Sequence, residues 1–201
     1  MKHGGVILCG GKSSRMGRDK ATLPFGNEVL LQRVVRILTD VVSVEKLVVV
    51  AALDQVLPEL PAGLTIVRDQ RPERGPLEGL AAGLSAIPSD VDAVYATSCD
   101  VPLLLPGFIR AVFDQLGDCE IAVPSDGHFF HPLAAVYRPR VLSAVNSLLT
   151  SDRLRPAFLF EEVLTEKIPV QKLREADPEL QSLINLNHPG DYEKAKTAAG
   201  V

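Results

Sequence analysis

Between positions 12 and 20 stand Lys12, Arg15, Arg18 and Lys20, opposed only by Asp19, in a chain whose formal net charge is −4. Gly10 and Gly11 precede them, positions where bare main chain can turn and come close to a ligand. Such a loop suits a polyanion, above all a nucleoside triphosphate. Phosphoryl-type transfer asks a protein for positioning and electrostatic stabilisation rather than covalent chemistry. Arg15 and Lys20 are the candidates for that work, while Lys12 and Arg18 serve equally well as surface charges. Asp100 is a second candidate. Magnesium takes oxygen ligands, commonly one or two carboxylates completed by substrate phosphates and water. An Asp at the end of an apolar run, just before Val101-Pro102, can anchor that arrangement; its other reading is a cap for the helix beyond Pro106. Asp69 is a third, because an ionised carboxylate only accepts hydrogen bonds and so suits base N–H or ribose O–H groups. It can instead pair with Arg68, Arg71 or Arg74. His128 and His131 either flank a second substrate or are structural. No Ser-His-Asp or Cys-His constellation and no zinc-like His/Cys spacing is present.

Two common phosphate loops fail to fit. A Walker A loop needs Gly where Val6 stands ahead of Gly11-Lys12-Ser13, and Gly10, Gly11 and Gly17 do not have G-x-G-x-x-G spacing. The elements around the loop are more regular. Apolar runs at 6–8, 47–51, 64–67 and 92–97 read as buried strands. Helices are expected over 31–38 with Asn27 as cap, briefly over 54–60, and over 76–87 with Pro76 in the first turn. Strands that are continuously apolar and alternate with helices predict a mostly parallel sheet covered on both faces. In such sheets ligands sit beyond the carboxyl ends of the strands, where Gly10/Gly11, Asp69 and Asp100 all fall.

In the second half, helices are expected over 106–116, 140–149, 156–163 and 189–199, with strands over 120–124 and 131–137 flanking a turn at 125–128. Hairpin-like strands there predict a small antiparallel addition to the three-layer α/β fold, and Pro169 marks 165–170 as an edge strand. A chain of 201 residues with 46% hydrophobic content supports one domain over 1–201. The pI near 5.6 argues against a nucleic-acid partner. No apolar run reaches the roughly 18 residues of a membrane span, and the chain enters a strand at once, which predicts a cytoplasmic location. Cys9, Cys99 and Cys119 read as small buried hydrophobes.

The run Leu8-Cys9-Gly10-Gly11-Lys12-Ser13-Ser14-Arg15-Met16-Gly17-Arg18-Asp19-Lys20 resembles the L-x-G-G-x-S-x-R-M-G-x-x-K pattern of the molybdenum cofactor guanylyltransferase family. Cys99-Asp100-Val101-Pro102 resembles that family's metal-binding segment, and Gly75-Pro76-Leu77-Glu78-Gly79 its G-P-L-A-G. The resemblance implies a Rossmann-like nucleotidyltransferase fold, with nucleotide on the N-terminal half and acceptor on the C-terminal half. It implies transfer of GMP from Mg2+-bound GTP to the terminal phosphate of molybdopterin. It assigns Leu8, Cys9, Gly10, Gly11, Lys20, Asp69 and Asp100 to the nucleotide, Asp100 to Mg2+, and Arg15, Lys20 and Asp100 to catalysis. Arg155 and the N-x-N pair Asn185 and Asn187 fall to the pterin side, Asn187 alternatively capping the last helix. Molybdoenzyme apo-proteins or their chaperones are implied as further partners. Two departures stand out: Ala51 and Ala52 where relatives often have Asn, and Glu78 where a small residue is usual. The rival readings are a cytidylyltransferase or sugar-phosphate nucleotidyltransferase of the same fold, and a non-catalytic cofactor-binding adaptor. Gly10-Gly11 together with Gly75-Pro76-Leu77 favours guanine.

Overall fold

A computed structural model describes residues 1–10, 19–69, 71 and 74–201. The chain runs β1 (His3–Leu8), β2 (Pro24–Phe25), β3 (Glu28–Val29), α1 (Leu30–Thr39), β4 (Leu47–Ala52), β5 (Thr65–Asp69), α2 (Pro76–Ala86) and β6 (Ala93–Ser98). It continues through α3 (Pro106–Asp114), β7 (Ile121–Ser125), β8 (Ala134–Tyr137), α4 (Leu142–Thr150), α5 (Pro156–Glu162), β9 (Thr165–Pro169) and α6 (Pro189–Ala199). Seven strands form one sheet in the order β5-β4-β1-β6-β8-β7-β9. All run parallel except β8, which is antiparallel to both β6 and β7. The reason is chain length: the turn from β7 back to β8 is too short for the crossover that a parallel strand requires. This is the expected antiparallel addition, and β9 lies at the sheet edge, as Pro169 demands.

The period of two along each strand divides the core. Ile7, Val49 and Tyr95 face α1 and α3, meeting Leu31, Val34, Leu38, Phe108 and Val112. Val6, Leu8, Val48, Val50 and Val94 face α2, α4 and α5. Both faces being dry explains why β1, β4 and β6 read as unbroken apolar runs. Helix α2 lies close against β1 because Gly79 and Gly83 face it. A Cβ on Gly83 would fall 2.4 Å from Val6 Cγ1 and 3.2 Å from Val50 Cγ2. These are stiff, buried, β-branched side chains with nowhere to go. Gly83→Ala gains about 1 kcal/mol of helix propensity and incurs overpacking of about 1–3 kcal/mol. We expect a net loss of about 1–2 kcal/mol, read as a lower urea midpoint at unchanged slope; a midpoint that rises would contradict the packing.

Three expectations differ. Asn27 does not cap α1. With Gly26 at φ +64° it makes the two-residue turn of the β2–β3 hairpin, and the helix starts at Leu30, with Gln32 Oε1 accepting from the Val29 N–H at 3.1 Å. Hairpin turn chemistry outcompeted capping. No helix forms over 54–60, where Pro58 interrupts and Arg68 binds the carbonyls of Ala52 and Gln55 at 3.0 and 2.7 Å. The strand expected from 131 begins at Ala134, because 131–133 form a turn closed by Ala134 N–H donating to the His131 carbonyl.

Candidate active site

Strand order reverses between β1 and β6, which makes their carboxyl ends the switch point where α/β sheets bind ligands. Main-chain bonds fix both ends: Cys9 N–H donates to the Val50 carbonyl at 2.9 Å, and Cys99 N–H to the Leu8 carbonyl at 3.1 Å. Gly10 follows directly, and a Cβ there would stand 3.0 Å from the Ala52 nitrogen. The chain passes so close to β4 that a Cβ at this position would press on its main chain. The Cys9 thiol is 3.2 Å from the Val50 carbonyl, and burial, reinforced by the charge of Asp19, pushes it up to about 12. Burial raises Cys99 in the same way, so neither thiol is a nucleophile at neutral pH. Cys119 is only half-buried.

Asp100 stands two residues beyond the last of β6 and is the centre of the arrangement. Its Oδ1 accepts from Ser98 Oγ at 2.5 Å and Asn185 Nδ2 at 3.0 Å; its Oδ2 accepts from Lys20 Nζ at 2.7 Å. The Lys20 and Asp100 side chains are only 19% and 12% exposed, so their attraction is weakly screened. Lys20 opens a short 3₁₀ turn, Lys20–Thr22, whose cap Asp19 accepts from the Ala21 N–H at 2.9 Å.

What gathers these distant residues is a small separate core. Leu23, Phe25, Leu30, Leu103, Leu186 and Ala195 bury one another, with Tyr192 packed alongside. Leu23 directly follows the Lys20 turn, Leu103 follows Asp100, and Leu186 is the neighbour of Asn185. Leu186 N–H donates to the Asp100 carbonyl at 3.0 Å, and the Tyr192 hydroxyl donates to the Pro24 carbonyl. Packing of the β2–β3 hairpin against α6 therefore carries Lys20 and Asn185 to the carboxylate together.

The other candidates are placed as follows. Asp69 ends β5 in register with Ala52 and accepts the Arg71 N–H at 2.9 Å. Arg71 and Arg74 turn their guanidinium groups to Glu78, at 2.8 and 3.3 Å. Glu78, 7% exposed, is thus turned away from solvent and ties the segment before α2 to that helix. Gly75, at φ +76°, makes the left-handed turn into α2 that a side chain would strain. The Leu154 carbonyl is 3.9 Å from where a Gly75 Cβ would lie, which sets the exposed Arg155 beside this turn. Residues 184–187 form no strand, and the two members of the N-x-N pair go to different partners. Asn185 binds Asp100 and Ser98. Asn187 is exposed, and its N–H, with that of His188, goes to Asp191 Oδ2 at 3.0 and 2.9 Å, so Asp191 satisfies the start of α6. Those two bonds hold the Asp191 carboxyl below the usual range. The His128 N–H closes a turn on Asp126, and half-burial lowers the His131 imidazole. Gly11, Lys12, Arg15 and Arg18 lie outside the described residues. Two contributors carried no sequence signal strong enough to single them out: Ser98, and Gln55, which binds Asp19 and the Cys9 carbonyl.

Solved structures share this architecture. Molybdopterin-guanine dinucleotide biosynthesis protein A from Archaeoglobus fulgidus superposes with a TM-score of 0.79 at 20% identity, covering 100% of this chain and 99% of its own. The 2-C-methyl-D-erythritol 4-phosphate cytidylyltransferase from Thermus thermophilus does so at 0.74 and 15% identity, covering 100% of both. A family model described as MobA-like NTP transferase domain matches residues 5–165, and the chain belongs to that family. A probable molybdenum cofactor guanylyltransferase from Pelotomaculum thermopropionicum is 32% identical over 196 residues, 97% of this chain and 92% of the relative. No described helix is long and apolar enough to cross a membrane.

Proposed function

We propose that this protein transfers GMP from GTP to the terminal phosphate of molybdopterin, forming molybdopterin guanine dinucleotide and releasing pyrophosphate. The observation that carries the reading is the Lys20–Asp100 pair beside Gly10 at the switch point, in a chain of an NTP transferase family. Similarity to relatives named guanylyltransferases supports guanine as the base.

Asp100 is the residue that would hold Mg2+. The donors fit: the carboxylate is a hard oxygen ligand, and its Oδ2 already faces a cation at 2.7 Å. Among the described residues no group of three or more His, Cys, Asp or Glu forms a metal site. A metal that completes its shell with phosphate oxygens and water suits a lone carboxylate. Bound there, Mg2+ would polarise the phosphates and offset their charge.

The rest falls to the chain's own groups. Gly10 lets the triphosphate approach main chain without a side chain intervening. Lys20 neutralises charge that develops on the transferring and leaving phosphates, and Arg15, from the basic loop, shares that role. Ser98 and Asn185 hold the Asp100 carboxylate in one orientation, which moves Asn185 from the pterin side to the metal side. Asp69 takes the base or ribose, while Arg155 and Asn187 are left for the acceptor on the C-terminal half. The acceptor phosphate is anionic at neutral pH and needs no general base; the chain's task is to bring it in line with the α-phosphorus. Turnover with GTP, CTP, ATP and UTP, each with molybdopterin and Mg2+ and read as pyrophosphate release, should favour GTP by at least about tenfold. A preference for CTP would keep the chemistry and overturn the base.

A further inference from the structure

Gln55 stands in the irregular segment after β4, and its amide is engaged from both ends. Oε1 accepts the Ala52 N–H at 3.0 Å, while Nε2 donates to the Cys9 carbonyl at 2.9 Å and to the Asp19 carboxylate oxygens at 2.9 and 2.8 Å. The Gln55 main chain is itself pinned: its N–H donates to the Ala52 carbonyl at 3.2 Å, and its carbonyl accepts from Arg68 at 2.7 Å. One side chain therefore joins the end of β1, the end of β4 and the residue that caps the Lys20 turn. Asp19 is the hinge of this contact. The same carboxylate accepts the Ala21 N–H, so the Gln55 amide and the turn are held by a single anion.

We infer that Gln55 is a positioning residue for nucleotidyl transfer: through Asp19 it sets the Lys20 turn where Lys20 Nζ meets Asp100. The inference rests on the reading of Lys20 as the phosphate-neutralising group. Its physical content is directional. An amide N–H aimed at a carboxylate makes a charge-assisted bond of defined geometry, and displacement of a catalytic group by about 1 Å can cut turnover about a hundredfold. Gln55→Glu keeps the shape but turns an oxygen toward both the Asp19 carboxylate and the Cys9 carbonyl, pushing the turn away. Gln55→Met keeps the length and removes the bonds without adding repulsion.

The test is kinetics with GTP, molybdopterin and Mg2+, with thermal unfolding alongside, on Gln55→Glu, Gln55→Met, Lys20→Ala and each Gln55 variant combined with Lys20→Ala. We expect kcat to fall about 30- to 100-fold for Gln55→Glu and less for Gln55→Met, with KM for GTP within about threefold. In the Lys20→Ala background either change should cost less than about twofold more, because its effect runs through Lys20. Asp19→Asn added to Gln55→Glu, which restores a donor to the contact, should recover about tenfold. A Gln55 loss of equal size with and without Lys20, or one that follows the fraction unfolded, overturns the inference and leaves the transfer reading intact. Wild-type turnover in Lys20→Ala overturns both.

Discussion

Asp100→Ala should lower GTP-dependent pyrophosphate release at least about a thousandfold while the sheet stays folded. Three donors on three separate segments converge on this carboxylate: Ser98 from β6, Lys20 from the turn ahead of β2, and Asn185 from the approach to α6. Losing it removes the carboxylate that would hold the metal and takes from the Lys20 ammonium its ion-pair partner. The Lys20 side chain is 19% exposed and its ammonium can turn to water, so the stability cost stays at about 1–3 kcal/mol, below that of a dry broken pair. Asp100→Asn is the informative companion, since it keeps the volume and loses the charge. Circular dichroism and unfolding midpoints establish the fold, and pyrophosphate release reads the chemistry. A folded Ala variant with more than about a tenth of parental turnover would remove Asp100 from the reaction.

For Lys20→Ala the expected loss is about a hundredfold or more in kcat, close to what one preorganised donor contributes elsewhere. Its sign on stability is also set by the structure. Without the ammonium, the Asp100 carboxylate keeps only neutral donors among the described residues, its side chain being 12% exposed, and folding weakens by about 1–2 kcal/mol. Lys20→Arg should not restore the rate, because a planar fork cannot place one donor where a compact ammonium sat. The discriminating measurement is single-turnover transfer at saturating GTP: a deficit that persists there belongs to the chemical step, whereas one that vanishes belongs to binding.

The sheet was legible because burial on both faces leaves a local mark. Val48-Val49-Val50 and Ala93 through Ala96 have no polar partner to alternate with. Convergence of Gly10, Asp69 and Asp100 on one edge followed from topology. What could not be read was whatever depended on which distant segment docks there. Asn185 joins Asp100 across 85 positions only because Leu186 packs with Leu23 and Leu103, and no periodicity in 183–187 records that. Gln55 sits in a segment without pattern, its role set by three main-chain ends meeting in space. Asn27 and residues 54–60 failed for a simpler reason: capping and helical propensity are weak preferences, overruled by a hairpin turn and by proline.

The small core that seats Lys20 and Asn185 also fixes when the catalytic edge can be finished. Every strand of the seven-stranded sheet lies before position 170, yet Leu186 and Ala195, which clasp the hairpin, come later. A ribosome-tethered chain displaying residues 1–180 carries every strand of the sheet but lacks Asn185, one of the three donors to the Asp100 carboxylate. Emergence of 185–199 is the event that completes it, so during synthesis the scaffold is ready before the tool.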